Sequence, residues 1–87
     1  MRCGLTLFIT GSTPRSLRAV ANIRRFCDEE IPDECDLEIV DLFEHPERAQ
    51  PANVVVSPTL VRHAPKPVRI LIGDMSDTAQ LRNVVKV

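Results

Sequence analysis

Hydrophobic and polar positions in the first half of the chain predict a strand, a helix and a second strand. Residues 5–10 are apolar almost throughout, which is typical of a strand covered on both faces, and residues 37–42 predict another strand. Between them, apolar residues recur with the spacing of an amphipathic helix at Leu17, Val20, Ile23 and Cys27. Ser12 or Thr13 is a suitable N-cap for this helix, with Pro14 at its first position.

The second half of the chain predicts one short helix, two strands and a final helix. Residues 44–50 form at most two turns of helix, because Pro51 follows them. Residues 59–63 and 68–72 are predicted strands, and the turn between them is so short that they must be antiparallel. Ser76 is predicted to cap the final helix, whose apolar positions are Ala79, Leu81, Val84 and Val85.

The predicted order of elements, β-α-β-α-β-β-α, specifies an α/β fold with a mixed four-stranded sheet. The first two strands are parallel, since a helix of this length connects them, and the crossover is right-handed. Pro58 stands at the start of the third strand, where a missing backbone N–H is tolerated. This order resembles the thioredoxin-like arrangement, in which the corresponding proline is cis, and Pro58 is therefore a candidate for a cis bond to Ser57.

Composition limits the chain to one small domain over residues 1–87. Of its 87 residues, 44% are hydrophobic and 26% are charged. A single core of this size is only marginally stable, and association with other subunits would supplement it. The formal net charge of -1 gives no attraction to nucleic acid or anionic membranes, and no apolar run reaches the roughly 18 residues of a membrane span. No export signal is visible, so we expect a cytoplasmic protein.

The cysteines and histidines offer no recognisable reactive motif. Cys3, Cys27 and Cys35 lack the C-x-x-C spacing of a redox dithiol or a zinc half-site. We expect them to be reduced thiols, with Cys27 acting as a small hydrophobic residue in the core. His45 and His63 have no neighbouring cysteine or histidine in the sequence. The sequence therefore predicts no catalytic residue, no metal site and no cofactor.

One alternative function follows from the thioredoxin-like arrangement. A redox thioredoxin carries its dithiol at the start of the first helix, whereas residues 11–16 of this chain contain no cysteine, which excludes disulfide exchange at that place. The N–H groups of a helix N-terminus can still hold an anion, such as a glutathione carboxylate. A thioredoxin-fold redox or glutathione-binding protein without a C-x-x-C dithiol is thus the alternative hypothesis.

Several sequence blocks resemble the KaiB family of circadian clock proteins. They cover essentially the whole chain. The block Ile-Gly-Asp-x-Ser-Asp at residues 72–77 is the most specific, because it follows a Pro-x-Pro-Val-Arg strand and is not a general thioredoxin feature. The other matching blocks are Leu-Phe-Ile-Thr-Gly-Ser-Thr-Pro-x-Ser-x-Arg-Ala at 7–19, Val-Asp-Leu at 40–42, His-Pro-x-x-Ala at 45–49 and Ser-Pro-Thr-Leu at 57–60.

The resemblance implies a non-enzymatic regulator that binds other proteins. Family members dock onto the hexameric ATPase KaiC, gather KaiA and the sensor kinases SasA and CikA, and so alter the phosphorylation state of KaiC. A KaiB-like domain also forms the N-terminal sensor of SasA. Mapped onto this sequence, the expected partner-binding residues are Arg18 with the loop before the first helix, and Glu47 and Asn53 around the short helix.

The resemblance also implies two alternative folds. The family's resting form is a tetramer whose C-terminal half has a different order of helices and strands, and its partner-binding form is a thioredoxin-like monomer. The family's fold preference can be biased at positions that match Gly73 and Asp74. Gly73 can supply a positive φ at the strand-to-helix junction, and Asp74 or Ser76 can cap the following helix. Local propensities favour the thioredoxin-like form, with the resting form as the alternative.

The chain departs from the family pattern after the short helix. Gln50, Pro51, Ala52 and Asn53 stand where the family usually has an acidic pair and a following lysine, and the acidic C-terminal tail of cyanobacterial members is not present before Val87. Pro51 stiffens this segment, which belongs to the family's KaiC-binding surface. The expected partner is therefore either a clock-type KaiC or a divergent KaiC-like ATPase.

Overall fold

A computed structural model describes residues 3–49 and 58–86, which form a mixed sheet with two α-helices and a short 3-10 helix. The strands are β1 (Cys3–Ile9), β2 (Cys35–Asp41), β3 (Thr59–Ala64) and β4 (Arg69–Ile72). The helices are α1 (Pro14–Glu30), α2 (Thr78–Val85) and the 3-10 helix Pro46–Arg48. The order of elements is the predicted one. The helix predicted within residues 44–50 is a single 3-10 turn.

The sheet has the strand order β2-β1-β3-β4. β1 and β2 are parallel, as the intervening helix requires, whereas β3 is antiparallel to both β1 and β4. β2 and β4 are therefore the edge strands. The mixed α/β architecture predicted from the sequence is confirmed.

Helix α1 begins and ends where its sequence directs. The Thr13 side chain accepts a hydrogen bond from the backbone N–H of Ser16, and Pro14 occupies the first turn. At the other end, the Ile31 N–H donates to the carbonyl oxygen of Cys27. Between these caps, Ile23 is among the side chains that α1 buries. The predicted N-cap is present, and Ile23 and Cys27 of the predicted apolar face are buried. Leu17 is 55% exposed, because the buried face begins at Ser16 and Ala19 instead.

The prediction that Ser76 or Asp74 caps the final helix is wrong. The N-cap of α2 is Asp77, whose carboxylate accepts a hydrogen bond from the Gln80 N–H at 3.2 Å. An aspartate directly before the first helical residue satisfies that donor well. Asp74 instead accepts from the Ser76 N–H at 3.2 Å and forms a local turn before the helix.

The core lies mainly between the sheet and the two helices. Because successive strand residues face opposite sides, odd-numbered positions of β1 such as Leu5 and Leu7 point toward α1 and α2. They share one buried cluster with Leu60 of β3, and with Ile23, Phe26, Leu81 and Val85 of the helices. A second, smaller cluster on the opposite face contains Phe8, Val40 and Val61. Among the described residues, no helix combines the length and the apolar character needed to cross a membrane.

One prediction concerns the peptide bond just before β3. The candidate cis bond before Pro58 involves Ser57, which lies outside the described residues, so it stays a prediction. Within the described part of the chain, cis peptide bonds precede Pro65 and Pro67 in the turn between β3 and β4.

Candidate functional site

Arg18 and Asp74, which were predicted to have different roles, contact each other. The Arg18 Nε lies 3.4 Å from the Asp74 Oδ2, and side-chain exposures of 56% and 27% place the pair at the surface. One turn further along α1, the Asn22 side-chain amide donates to the Asp74 carbonyl oxygen at 2.9 Å. Helix α1 therefore holds the junction between β4 and α2 by both the side chain and the backbone of Asp74.

The backbone of this junction adopts conformations that most residues avoid. Gly73 has φ +132° and Met75 has φ +63°, the second being a left-handed conformation that costs a non-glycine residue roughly 1–2 kcal/mol. The Gly73 N–H donates to the Pro58 carbonyl oxygen at 3.0 Å, and the Met75 side chain is buried in the core. The predicted positive φ at Gly73 is confirmed.

The charge on Asp74 is stabilised within the junction. Hydrogen bonds from Ser76 lower the pKa of the Asp74 carboxyl, and the Arg18 guanidinium lowers it further. Asp74 is therefore ionised at neutral pH and available to Arg18. This ion pair joins an element of the first half of the chain to the start of the last helix.

A second ion-pair cluster joins the far end of α1 to α2. The Arg82 guanidinium donates to both Glu30 carboxylate oxygens, at 2.8 and 3.4 Å, and the Lys86 Nζ lies 3.6 Å from Glu30 Oε1. The hydrogen bond from Arg82 lowers the pKa of the Glu30 carboxyl. We call Arg18–Asp74 and Glu30–Arg82 the α1 ion pairs. Exposed pairs of this kind are individually weak. Most of the stability of the fold therefore comes from buried side chains such as Leu81, and the ion pairs add a small contribution.

The 3-10 helix carries Glu47, one of the predicted partner-binding residues. The Arg48 guanidinium makes a two-pronged contact with the Glu38 carboxylate, at 3.2 and 2.9 Å, which anchors this helix to β2 and lowers the pKa of the Glu38 carboxyl. Glu47 projects outward with its side chain 67% exposed, and its Oε1 lies 3.5 Å from His45 Nδ1. Asn53 lies outside the described residues, so its predicted role stays a prediction.

An exposed aromatic residue, Phe43, lies between the 3-10 helix and the loop before α1. Phe43 is 73% exposed, and a Cβ at Gly11 would lie only 3.0 Å from its ring. The Asp41 carboxylate oxygen Oδ1 accepts from the N–H groups of both Gly11 and Phe43, at 3.0 and 2.9 Å. No sequence pattern described above marks Phe43 as a binding residue. Its signal was a large apolar side chain just after β2, where a polar turn residue is usual.

The hydroxyl groups at the start of α1 are used within the fold. Ser16 is buried, and its Oγ accepts from the Thr10 N–H at 3.2 Å and from the Thr13 hydroxyl at 2.9 Å. The Thr13 oxygen in turn caps the helix. These hydroxyls are capping groups, and the glutathione-binding alternative gains no support from them.

Comparisons with known proteins point to one family. The family model described as the KaiB domain matches residues 6–87. The circadian clock protein KaiB3 of Synechocystis sp. PCC 6803 is 44% identical over 80 residues, which are 92% of this chain and 78% of that protein. The circadian clock oscillator protein KaiB of Microcystis aeruginosa is 36% identical over 73 residues, which are 84% of this chain and 70% of that protein.

Solved structures give the same fold. The N-terminal domain of Synechococcus elongatus SasA superposes with a TM-score of 0.76 at 25% identity, covering 95% of this chain and 78% of that one. Mitochondrial thioredoxin 3 of Saccharomyces cerevisiae has a TM-score of 0.78 at 15% identity, covering 97% and 76%. The second likeness concerns the thioredoxin-like fold alone.

Proposed function

The chain belongs to the KaiB family, and on that premise we propose that it is a clock-type regulatory protein that binds a KaiC-type hexameric ATPase. Binding alters the phosphorylation state of the ATPase, and the chain itself catalyses no reaction. The observation that carries this proposal is the match of the KaiB domain model to residues 6–87. The relatives reported above are named as circadian clock proteins, which supports a regulatory role of the same kind.

The proposed docking surface consists of Phe43, Glu47 and Asn53. The two-pronged Arg48–Glu38 contact fixes the 3-10 helix on β2, which positions the exposed Glu47 carboxylate before a partner arrives. Phe43, four positions earlier in the chain, adds an exposed aromatic side chain, the residue type that most often anchors protein interfaces. An exposed carboxylate and an exposed aromatic ring fit a partner surface that offers a basic residue and an apolar pocket.

The thioredoxin-like form described here is proposed to be the partner-binding form. The alternative is a resting oligomer, a dimer or tetramer, with a rearranged C-terminal half. Asp74 and Arg82 both belong to the C-terminal half, so a rearrangement that moves the β4–α2 junction and α2 away from α1 breaks both α1 ion pairs. Arg18 and Asp74 therefore act on the balance between the two forms, together with the backbone at Gly73. KaiA-like proteins and SasA- or CikA-like histidine kinases are proposed as further partners of this form, in the cytoplasm.

Binding to the purified ATPase tests the docking surface. The substitutions Glu47→Lys and Phe43→Ala are expected to weaken binding of the ATP-loaded, KaiC-type hexamer from the same organism by about tenfold or more, as for central interface residues. Glu29→Lys is the matched control, since it reverses an exposed charge on α1 and should leave the Kd unchanged. Unchanged affinity in both docking-surface variants would contradict the assignment of this surface.

A further inference from the structure

The three cysteines, which share no sequence motif, meet at one place in the fold. Cys27 lies in the last turns of α1, Cys35 is the first residue of β2, and Cys3 is its register partner on β1. The Sγ atoms of Cys27 and Cys35 are 2.9 Å apart. This distance is a direct thiol contact, and the chain turns through only seven intervening residues to make it.

We propose that Cys27 and Cys35 are an oxidisable dithiol, a modification site at which hydrogen peroxide converts the pair into an intramolecular disulfide. The site is separate from the start of α1, where a redox thioredoxin has its dithiol, and it is independent of the docking surface. It lies at the opposite end of the same helix.

The geometry requires little movement for the bond to form. A disulfide has a sulfur–sulfur distance of about 2.03–2.05 Å, so the two sulfurs have to approach by roughly 0.9 Å from the 2.9 Å contact. The connection between them ends in a turn in which the Glu34 N–H donates to the Ile31 carbonyl oxygen at 3.2 Å. The βαβ unit itself thus positions the thiols of Cys27 and Cys35 in contact with each other.

A groove gives a small oxidant access to the pair. Because β2 is an edge strand, α1 covers it only in part, and a groove of about 630 Å³ opens between them. Cys27 and Cys35 line this groove together with Asp28 and Leu37. Cys35 is half-buried, whereas Cys27 is buried. The oxidant therefore reaches Cys35 first.

The two cysteines have different chemical roles. Burial is the main cause that raises the pKa of the Cys27 thiol, and the hydrogen bond with Cys35 raises it further. Cys27 therefore remains protonated and acts second, as the resolving cysteine. The Cys35 sulfur attacks one peroxide oxygen, the O–O bond breaks, and water leaves with formation of a Cys35 sulfenic acid. The Cys27 sulfur then attacks the Cys35 sulfur, the S–O bond breaks, and the hydroxyl group leaves as a second water with the Cys27 proton. Two thiols have lost two electrons, and the peroxide has been reduced to two waters.

Cys3 is the competing partner, because it lies directly opposite Cys35 on the neighbouring strand. Its thiol contacts the Val85 carbonyl oxygen of α2 at 3.8 Å, and it is buried. The short sulfur–sulfur contact is made by Cys27, so the structure assigns the disulfide to Cys27 and Cys35 with Cys3 remaining a thiol. The bond joins two elements of the first half of the chain, and the α2 contacts stay intact.

Peptide mapping tests this assignment. The reduced chain is treated with hydrogen peroxide, its remaining thiols are capped with N-ethylmaleimide under denaturing conditions, and it is digested with trypsin and a glutamate-specific protease. Cleavage after Arg15, Arg18, Arg24 and Arg25 separates Cys3 from Cys27, and cleavage after Glu29, Glu30 and Glu34 separates Cys27 from Cys35. A disulfide is then seen as two linked peptides that come apart on reduction. We expect this linked pair, a mass lower by two hydrogen atoms, and maleimide on Cys3 alone. A Cys3–Cys35 link, or maleimide on all three cysteines, would overturn the proposal.

Three serine variants complete the test. Cys3→Ser is the matched control and should form the same disulfide as the native chain. Cys27→Ser should stop at the sulfenic acid, which dimedone traps on Cys35, and Cys35→Ser should form no disulfide. Dimedone on Cys3 in the Cys27→Ser chain would overturn the order of events. Circular dichroism of each variant verifies that it folds, and oxidation of the native chain in urea should give mixed pairings, because the selectivity comes from the fold.

Discussion

At the scale of single residues, Arg62 has the greatest structural consequence for the C-terminal half. It is 2% exposed, and its guanidinium donates to the carbonyl oxygens of Pro67 at 3.0 Å and Val85 at 3.5 Å. These carbonyls belong to the β3–β4 turn and to the end of α2. A buried cation needs such acceptors because its desolvation is costly. The Arg62 side chain of β3 therefore links the β3–β4 turn and the end of α2 through two hydrogen bonds.

Replacing Arg62 tests this role. Arg62→Met keeps an unbranched apolar stem but removes the guanidinium donors, so the carbonyl groups of Pro67 and Val85 lose these hydrogen bonds. We expect the free energy of unfolding to fall by about 1–3 kcal/mol, measured by urea denaturation followed by circular dichroism. Arg69→Met is the matched control, since Arg69 faces Arg62 across the β3–β4 ladder but is exposed, and it should change stability by less than about 0.5 kcal/mol. Equal effects of the two substitutions would contradict this account.

At the scale of elements, α1 makes the side-chain contacts that hold the C-terminal half against the rest of the fold. Its side chains reach the β4–α2 junction at Asp74 and the second turn of α2 at Arg82, while Ile23 and Phe26 pack into the common core. Both ion pairs involve a carboxylate whose pKa is lowered in the folded chain. The attachment of α2 to α1 is consequently sensitive to acid.

The pH dependence has a definite sign. A carboxyl whose pKa is lower in the folded than in the unfolded chain stabilises the fold above its unfolded pKa, and this contribution is lost as the pH falls through the folded pKa. Ordinary Asp and Glu pKa values are about 3.9 and 4.3. Stability should therefore hold from pH 7 to about pH 5 and decline below about pH 4, measured as the thermal midpoint at each pH.

Substitution of Glu30 identifies its share of this pH dependence. Glu30→Gln should lower the thermal midpoint at pH 7 and make its decline below pH 4 shallower, because the Arg82 partner no longer meets a titrating carboxylate. Glu29→Gln, the exposed neighbour on α1, is the control and should keep the native profile. A native profile in Glu30→Gln would contradict a role for the Glu30–Arg82 pair.

The elements themselves were predictable from the sequence because their periodicity and caps are local. The apolar spacing of α1, its Thr13 cap and the short β3–β4 turn each depend on neighbouring residues, and they agree with the structure except at Leu17, which is exposed. The cap of α2 was assigned to Ser76 instead of Asp77, because three polar side chains compete there within four residues. Propensity alone does not rank such neighbours.

The contacts that form the candidate sites were not predictable in the same way. Arg18 and Asp74 are separated by 56 positions, and nothing in the sequence marks them out among the other pairs of opposite charge. The packing of α1 against the sheet brings them together. Cys27 and Cys35 meet because the βαβ register places the start of β2 beside the end of α1. Sequence spacing does not reveal this register, so from the sequence Cys27 is interpreted only as a core residue.

At the scale of the whole molecule, the chain is a βαβ unit onto which β3, β4 and α2 are added. The addition is made through the antiparallel pairing of β1 with β3, the shared core and the α1 ion pairs. Gly73 and Asp74 lie where this second part turns from strand to helix. The balance between the thioredoxin-like form and a rearranged oligomer should thus depend on contacts made between the two parts.

Removing both α1 ion pairs tests this dependence. The double variant Arg18→Ala/Arg82→Ala should raise the fraction of the chain in the alternative oligomer, measured by size-exclusion chromatography with light scattering. Arg15→Ala/Arg24→Ala removes the same charge from exposed positions of α1 and should elute as the native chain does. If both double variants elute alike, the α1 ion pairs do not bias the fold.

The most direct test of the whole account is the phosphorylation time course of the KaiC-type ATPase from the same organism. The purified hexamer is incubated with ATP, with and without the chain, and its phosphorylated fraction is followed by gel mobility and mass spectrometry. We expect the chain to change this time course, and we expect Glu47→Lys, on the proposed docking surface, to have a smaller effect at the same concentration. Identical time courses with and without the native, folded chain would contradict it.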